Sequence, residues 1–332
     1  MANVRDFRTR IRSVKSTQQI TRAMKLVSAA KLCRAQDRIL AARPYARKMR
    51  DVLASLALRA NPDKHPLLGR RAEERVVVVV MTADKGLCGS FNTNILNAAK
   101  ETLEGLRDRR QVQVDLVGRK ARDWFRRRSY TVRRSLLDVS KNVGLEHARE
   151  LASELVRGFT AAEIDAVYLV YNEFKSVIQQ RVVVEGLLPV PRGQFGPGAF
   201  GGGDGAAARA AARAAGAGSG SEAGPRPAPG APAGARPEGA EAAQASAEDY
   251  IYEPDEAALF ERLLPKAIEF QIYRALLESS AAEYGARMTA MDNATRNAEE
   301  MISTLTLQMN KIRQAAITKE ILEVVSGAEA QR

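Results

Sequence analysis

The residues best placed for chemistry lie in one short run, Ala83-Asp84-Lys85-Gly86-Leu87-Cys88-Gly89-Ser90, between a β-branched stretch and a helical one. Glycines in a strand-to-helix turn are how phosphate-cradling loops are built, because they let backbone N–H groups approach an anion. The run has nothing else that such a loop needs. There is no GxxxxGK[ST], with a lysine for the phosphates and a hydroxyl for magnesium, and no GxGxxG followed by an acidic residue about 20 positions on. Gly86 and Gly89 are therefore read as shaping a tight turn. Cys33 and Cys88, the two cysteines, are far apart and in no CxxC pair, so neither a disulfide framework nor a zinc site follows. His65 and His147 have no ligand spacing, and no GxSxG run or Cys/His pair accompanies Cys88. No catalytic, cofactor-binding or metal-binding residue is assigned, and no cofactor is expected. So poor a set of chemical constellations points to an interaction or mechanical component rather than an enzyme.

Periodicity is what the chain has instead. From Phe7, Ile11, Val14, Gln18, Thr21, Lys25, Ser28 and Leu32 onward to Leu56, a 4,3,4,3 spacing runs unbroken. A second seam starts at Phe260 and passes through Leu277, Tyr284, Met291, Ala298, Leu305, Met309 and Ile312 to Ala316. A stripe repeating every 3.5 residues must be covered by a partner helix that supercoils with it. The two ends are expected to cover each other, antiparallel, with Leu305, Met309 and Ile312 against Phe7, Ile11 and Val14. At ~1.5 Å per residue, a helix over 254–326 is on the order of 100 Å long and must project as a rod. Gln18, Thr21, Lys25 and Ser28 weaken the first seam, so part of the rod is expected to touch something besides its partner.

Charge is placed as unevenly as the periodicity. Residues 1–60 carry 15 Lys and Arg against Asp6, Asp37 and Asp51, which accounts for the whole excess of +12; the remaining residues are balanced at 36 of each sign. A basic helix is usually a solvated face, and if it is functional its partner surface is acidic: nucleic acid, anionic lipid or acidic protein loops. Only Phe7 and Tyr45 are available on it for base stacking, which weakens the nucleic-acid reading. No run approaches the ~20 apolar residues of a membrane span, and the first residues lack a signal peptide's apolar run, so a soluble or peripheral protein is expected.

Between the long helices, strand and helix signals alternate. The run 75–81 is β-branched throughout, the pattern of a strand buried on both faces. A helix is expected at 91–106, a strand at 111–117, a short helix at 119–128, an irregular or strand segment at 130–139, a helix at 145–159, and strands at 166–172 and 180–185. This order implies an α/β domain with a parallel or mixed sheet. From Arg192 to Ala247, 40 of 56 positions are Ala, Gly or Pro, a composition that cannot bury enough apolar surface to offset its ordering entropy, and it is read as a disordered insertion. The organisation expected is a first helix over 1–60, an α/β domain over 75–191, the insertion over 192–247 and a last helix over 254–326.

Three stretches carry a closer likeness. They are Gln18-Gln19-Ile20-Thr21-Arg22-Ala23-Met24-Lys25-Leu26-Val27-Ser28, then Thr82-Ala83-Asp84-Lys85-Gly86-Leu87-Cys88-Gly89-Ser90-Phe91-Asn92, and the C-terminal Asn310-Lys311-Ile312-Arg313-Gln314-Ala315-Ala316-Ile317-Thr318-Lys319-Glu320-Ile321. In these the chain resembles the gamma subunit of the rotary F-type ATP synthase over essentially its whole length except 192–247. The resemblance implies an antiparallel coiled coil of the N- and C-terminal helices plus a central Rossmann-like α/β domain. It implies a non-catalytic shaft inside a ring of alpha and beta subunits, with the α/β domain as a foot beside the epsilon subunit and the membrane c-ring. It places the protein peripherally on the cytoplasmic side of a bacterial cell membrane, with protons or sodium ions as the driving ion and no nucleic acid bound. It also implies that Met24 and Lys25 pass the acidic lever loops of the beta subunits, and that Arg313, Gln314, Thr318 and Glu320 lie where the shaft tip meets the alpha/beta ring. Weak, exposed charge contacts are expected there, since deep apolar knobs would trap one angle.

Overall fold

The structure, a computed structural model, describes residues 4–59, 65–107, 110–141, 143–177, 179–190 and 255–329. The expected insertion at 192–247 lies outside the described residues.

Two helices dominate the molecule. Helix α1 is Val4–Arg59 and the last helix, α5, is Glu256–Glu329, which at ~1.5 Å per residue is roughly 110 Å long. Their compositions suit helix, being rich in Ala, Arg, Lys, Leu and Glu. Pro44 and Pro265 each remove one backbone donor, but both sit where the partner helix and the α/β domain hold the chain on either side. The two helices pack against each other more extensively than any other pair of elements.

The α/β domain fills the stretch between them. Its elements are β1 Arg75–Met81, α2 Phe91–Arg107, β2 Gln111–Val117, α3 Arg119–Phe125, β3 Thr131–Leu136, α4 Leu145–Thr160, β4 Ala166–Phe174 and β5 Gln180–Leu188. The sheet order is β3-β2-β1-β4-β5; β1 to β4 run parallel and β5 pairs antiparallel with β4. The mixed alternative of the sequence reading is therefore the one found. The segment expected as irregular or strand is a parallel edge strand with a register shift between Val132 and Arg134, and the last strand runs three residues beyond 185 because β4 offers a partner as far as Val167.

The valine run of β1 now has its reason. Val77, Val79 and Met81 face a core built with α4 and the lower parts of α1 and α5, while Val76, Val78 and Val80 face α2 and α3. A strand covered on both sides needs apolar residues at every position. Helix α5 is in the same situation from Phe260 to Ala286. Its heptad stripe meets α1, and Leu264, Ile268, Ile272 and Leu276, spaced by four, meet the sheet. That second stripe anchors the rod in the domain.

Candidate functional site

The coil is antiparallel, as the paired seams require. Leu32 and Ala35 of α1 cluster with Ala281 and Tyr284 of α5, and the Tyr45 and Phe270 rings lie 5.2 Å apart. Farther out, the Thr21 and Thr295 hydroxyls are 2.8 Å apart and Lys25 forms an ion pair with Asp292. Continuing that register puts Phe7 level with Met309 and Ile11 level with Leu305, and all four are partly buried. Three of the four polar positions in the first seam, Thr21, Lys25 and Ser28, are satisfied within the coil. Besides Thr21 and Lys25, the buried Ser28 hydroxyl donates to the Met24 carbonyl at 2.8 Å.

The six residues assigned to contacts fall in two groups along the rod. Met24 and Lys25 are half-buried on α1, and the Lys25 ammonium, expected to face an acidic neighbour, is engaged by Asp292, which Arg296 also holds at 2.6 Å. Arg313, Gln314, Thr318 and Glu320 lie beyond the level of Val4, where α5 runs on without α1, and all four are exposed. The Thr318 hydroxyl is occupied by the Gln314 carbonyl at 3.0 Å. Roughly 20 to 30 residues of helix, ~30–40 Å, separate the groups.

Large apolar side chains are exposed beside the charged ones in both stretches. Ile20, Leu26 and Val27 are exposed on α1, Leu26 to 66 %; Ile317, Ile321, Leu322, Val324 and Val325 are exposed on the lone end of α5. These residues were missed because they lie off the heptad stripe. A large apolar residue outside the seam of a two-helix coil was the available signal, since nothing inside the pair can cover it.

The loop after β1 is welded to the shaft. The buried Asp84 carboxylate accepts from the backbone N–H groups of Arg119 and Asp138 at 3.1 Å each and from the Ser140 hydroxyl at 2.7 Å. From α5, Arg287 pairs with Glu283 at 2.8 Å and reaches the Gly86 carbonyl at 3.3 Å. A guanidinium seated on the turn's carbonyls is the reverse of a phosphate cradle. Leu87 at φ 64° and Gly89 at φ 57° make the tight turn that the glycines suggested.

Lower on α5, Arg274 bonds Glu185 at 3.1 Å and lies 3.9 Å from Glu278. Burial raises the Glu278 carboxyl to about 7, against the pull of Arg274 and with Glu173 and Glu185 adding to the rise. In the unfolded chain the group titrates near 4.5. Between those values the folded state holds a proton that the unfolded state lacks. The stabilisation is fully present below the unfolded value and is lost as pH rises through about 7. Glu278→Gln, neutral at every pH, is therefore expected to change stability little near pH 5 and to raise it by about 1–2 kcal/mol at pH 8. Urea unfolding at the two pH values measures the difference.

No group of three or more His, Cys, Asp or Glu side chains among the described residues is arranged to hold a metal, and no described helix is long and apolar enough to cross a membrane. A long two-helix rod, anchored by a second apolar stripe in an open α/β domain and ending in an unaccompanied helix, defines a shaft protein. A sequence model of the family described as ATP synthase matches residues 3–331. The ATP synthase gamma chain of Anaeromyxobacter sp. (strain Fw109-5) is 45 % identical over 99 % of both chains, and that of Pelotomaculum thermopropionicum is 42 % identical with the same coverage. The chain belongs to the ATP synthase gamma-chain family. Two solved structures share the fold. The Tetrahymena thermophila mitochondrial ATP synthase central stalk/c-ring matches at 23 % identity and TM-score 0.52, covering 83 % of this chain and 99 % of the other. The Euglena gracilis mitochondrial ATP synthase rotor matches at 19 % identity and TM-score 0.57, covering 95 % and 98 %.

Proposed function

We propose that this chain is the central rotor-stalk subunit of an F-type ATP synthase. It turns with an ion-driven membrane ring and carries the rotation into a ring of alpha and beta subunits, where nucleotide chemistry takes place; it catalyses none itself. The observation that carries this reading is the graded shaft, buried on all sides in the domain, paired in the coil and bare at the tip from Arg313 to Ser326. A bare helix end with charged and apolar residues around its circumference suits a bearing that meets several equivalent neighbours in turn. The paired section above the domain presents different side chains at different angles. Its orientation can therefore bias which conformation each neighbour occupies, provided that the conformations differ in their contacts with the shaft. The basic face of α1, with Met24 and Lys25, is the side that meets acidic loops of beta subunits. The pairing of Lys25 with Asp292 means that Lys25 acts there as part of a fixed ion pair. The α/β domain is the foot, beside epsilon and the c-ring, and the protein is peripheral on the cytoplasmic side of a bacterial membrane.

Replacing Arg313 and Gln314 together by alanine tests the tip assignment. Both side chains are exposed, so the chain itself is expected to fold as before. ATP hydrolysis by the reconstituted complex is expected to fall several-fold through weaker assembly and slower rotation. Unchanged turnover together with unchanged complex stability would remove these two residues from the contact.

A further inference from the structure

Outside α1 the chain is balanced in charge, yet the segment 119–134 holds eight Lys and Arg against one acidic residue, Asp123. Half of these cations are held by carboxylates. Arg119 pairs with Asp138, Arg122 with Asp123, Arg133 with Asp115, and Arg134 with Glu150 and Glu154. Arg126 and Arg127 are exposed at the end of α3 and have no carboxylate partner among the described residues. Beside them stands a four-part stack. The Arg128 guanidinium lies 3.6 Å over the Trp124 ring, Trp124 stacks on Tyr130 at 6.3 Å and 22°, and Arg107 lies 5.7 Å over Tyr130. Phe125 supports both rings edge-on from the core. Arginine runs are ordinarily solvated faces, but this one is held on an aromatic scaffold with its charge left over.

The position of the patch follows from the strand directions. Arg107 and Arg110 precede β2 and residues 126–130 precede β3, so both lie at the edge of the sheet where its parallel strands begin. Helix α5 passes His65 at Phe260, Glu185 at Arg274 and Phe174 at Gly285, moving from the start of β4 toward its end on the way to the bare tip. The patch therefore occupies the end of the molecule opposite the tip. Nucleic acid is a poor occupant, because Arg128, Tyr130 and Arg107 cover the ring faces on which bases would stack.

We propose that this edge is a docking surface for anionic phospholipid headgroups, with Arg126 and Arg127 as its free phosphate-binding groups and the Arg107–Tyr130–Trp124–Arg128 stack as its fixed base. The choice of a lipid surface rests on the stalk reading, which turns this end toward the membrane; the binding itself does not. Guanidiniums suit phosphate oxygens, and basic residues near an anionic bilayer are attracted without any groove.

Trp124 is the only tryptophan in the chain, so energy transfer from it reports this site alone. The full-length protein is titrated at 100 mM salt with phosphatidylcholine vesicles holding a quarter phosphatidylglycerol and a trace of dansyl-headgroup lipid, and with the same vesicles lacking phosphatidylglycerol. Transfer is expected only with the anionic vesicles. Arg126→Ala/Arg127→Ala is expected to weaken it about thirtyfold, from roughly 1 kcal/mol per arginine. Arg8→Ala/Arg12→Ala, exposed on the basic α1, is expected to weaken it less than threefold. Circular dichroism confirms equal helicity in both variants. The proposal is overturned by equal transfer to uncharged vesicles, by transfer that depends on Arg8 and Arg12 instead, or by none with anionic vesicles, which would reassign the patch to an acidic protein. Each of these outcomes leaves the rotary role untouched, since that is judged by hydrolysis in the assembled complex.

Discussion

Gly118→Ala is expected to destabilise the α/β domain by about 4 kcal/mol or more. Gly118 sits between β2 and α3 at φ 94° and ψ 150°, a region in effect reserved for glycine. A Cβ there would lie 2.2 Å from the Thr82 carbonyl oxygen and 2.9 Å from its hydroxyl. Neither atom can yield. The Thr82 hydroxyl donates to the Val117 carbonyl at 3.1 Å and accepts from the Ala121 N–H at 2.9 Å, while Gly118 donates to Leu136 at 2.8 Å. The clash would therefore separate β1 from β2 at the level of the loop that α5 clamps. Thermal unfolding followed by circular dichroism should show a fall of roughly 10 °C or more. Gly86→Ala is the control: its Cβ would meet only the end of the flexible Lys120 side chain, at 3.8 Å, and the melting temperature should move by no more than about 2 °C. A similar small shift for Gly118→Ala would mean that the crossing of these loops is far softer than its geometry.

That contrast marks how far the sequence could be read. The glycines that drew attention, Gly86 and Gly89, were conspicuous because they resembled a known loop. The glycine under greatest steric demand, Gly118, stands alone after a strand, and only the Thr82 backbone crossing from 36 residues away reveals why it must be glycine. The coil was legible almost residue by residue, because a 3.5-residue period is a local property and one partner was available to cover it. The α/β alternation was legible for the same reason. The second stripe of α5 was not. Leu264, Ile268, Ile272 and Leu276 look like ordinary helix residues until the sheet they pack against is placed.

The charge of the first helix was legible, but not what its side chains pair with inside the molecule. The excess of charge on the first helix pointed to an acidic neighbour, yet the pairing of Lys25 with Asp292, 267 positions away, depends on a register that no local pattern encodes. Leu26 and Val27 next to it are the reverse case. Their apolar character off the seam could be read directly from the sequence.

The second large effect is expected where the coil enters the domain. Arg274→Met should cost about 3 kcal/mol at pH 8, because it removes a cation from among Glu173, Glu185 and Glu278 and leaves half-buried carboxylates uncompensated. Arg43 is the other cation acting on Glu278, from α1. Tyr171 cannot relieve the excess. Burial and Glu185 push its phenol upward, so it stays a neutral donor to Glu185 at 2.8 Å. Without Arg274, whose charge holds it down, the Glu278 carboxyl should titrate still higher in the folded state. The sign then follows: protons bound by the folded variant but not by its unfolded chain offset the loss at low pH and are released as pH rises. The penalty should accordingly be smaller at pH 5.5 than at pH 8. Adding Glu185→Gln to Arg274→Met should recover at least about half of it at pH 8, because neutralising one carboxylate removes much of the repulsion that the substitution exposed. Urea unfolding of the two variants at both pH values decides the matter. A penalty independent of pH and not relieved by Glu185→Gln would mean that Arg274 serves through its packing against Phe270 and Leu277 and not through its charge.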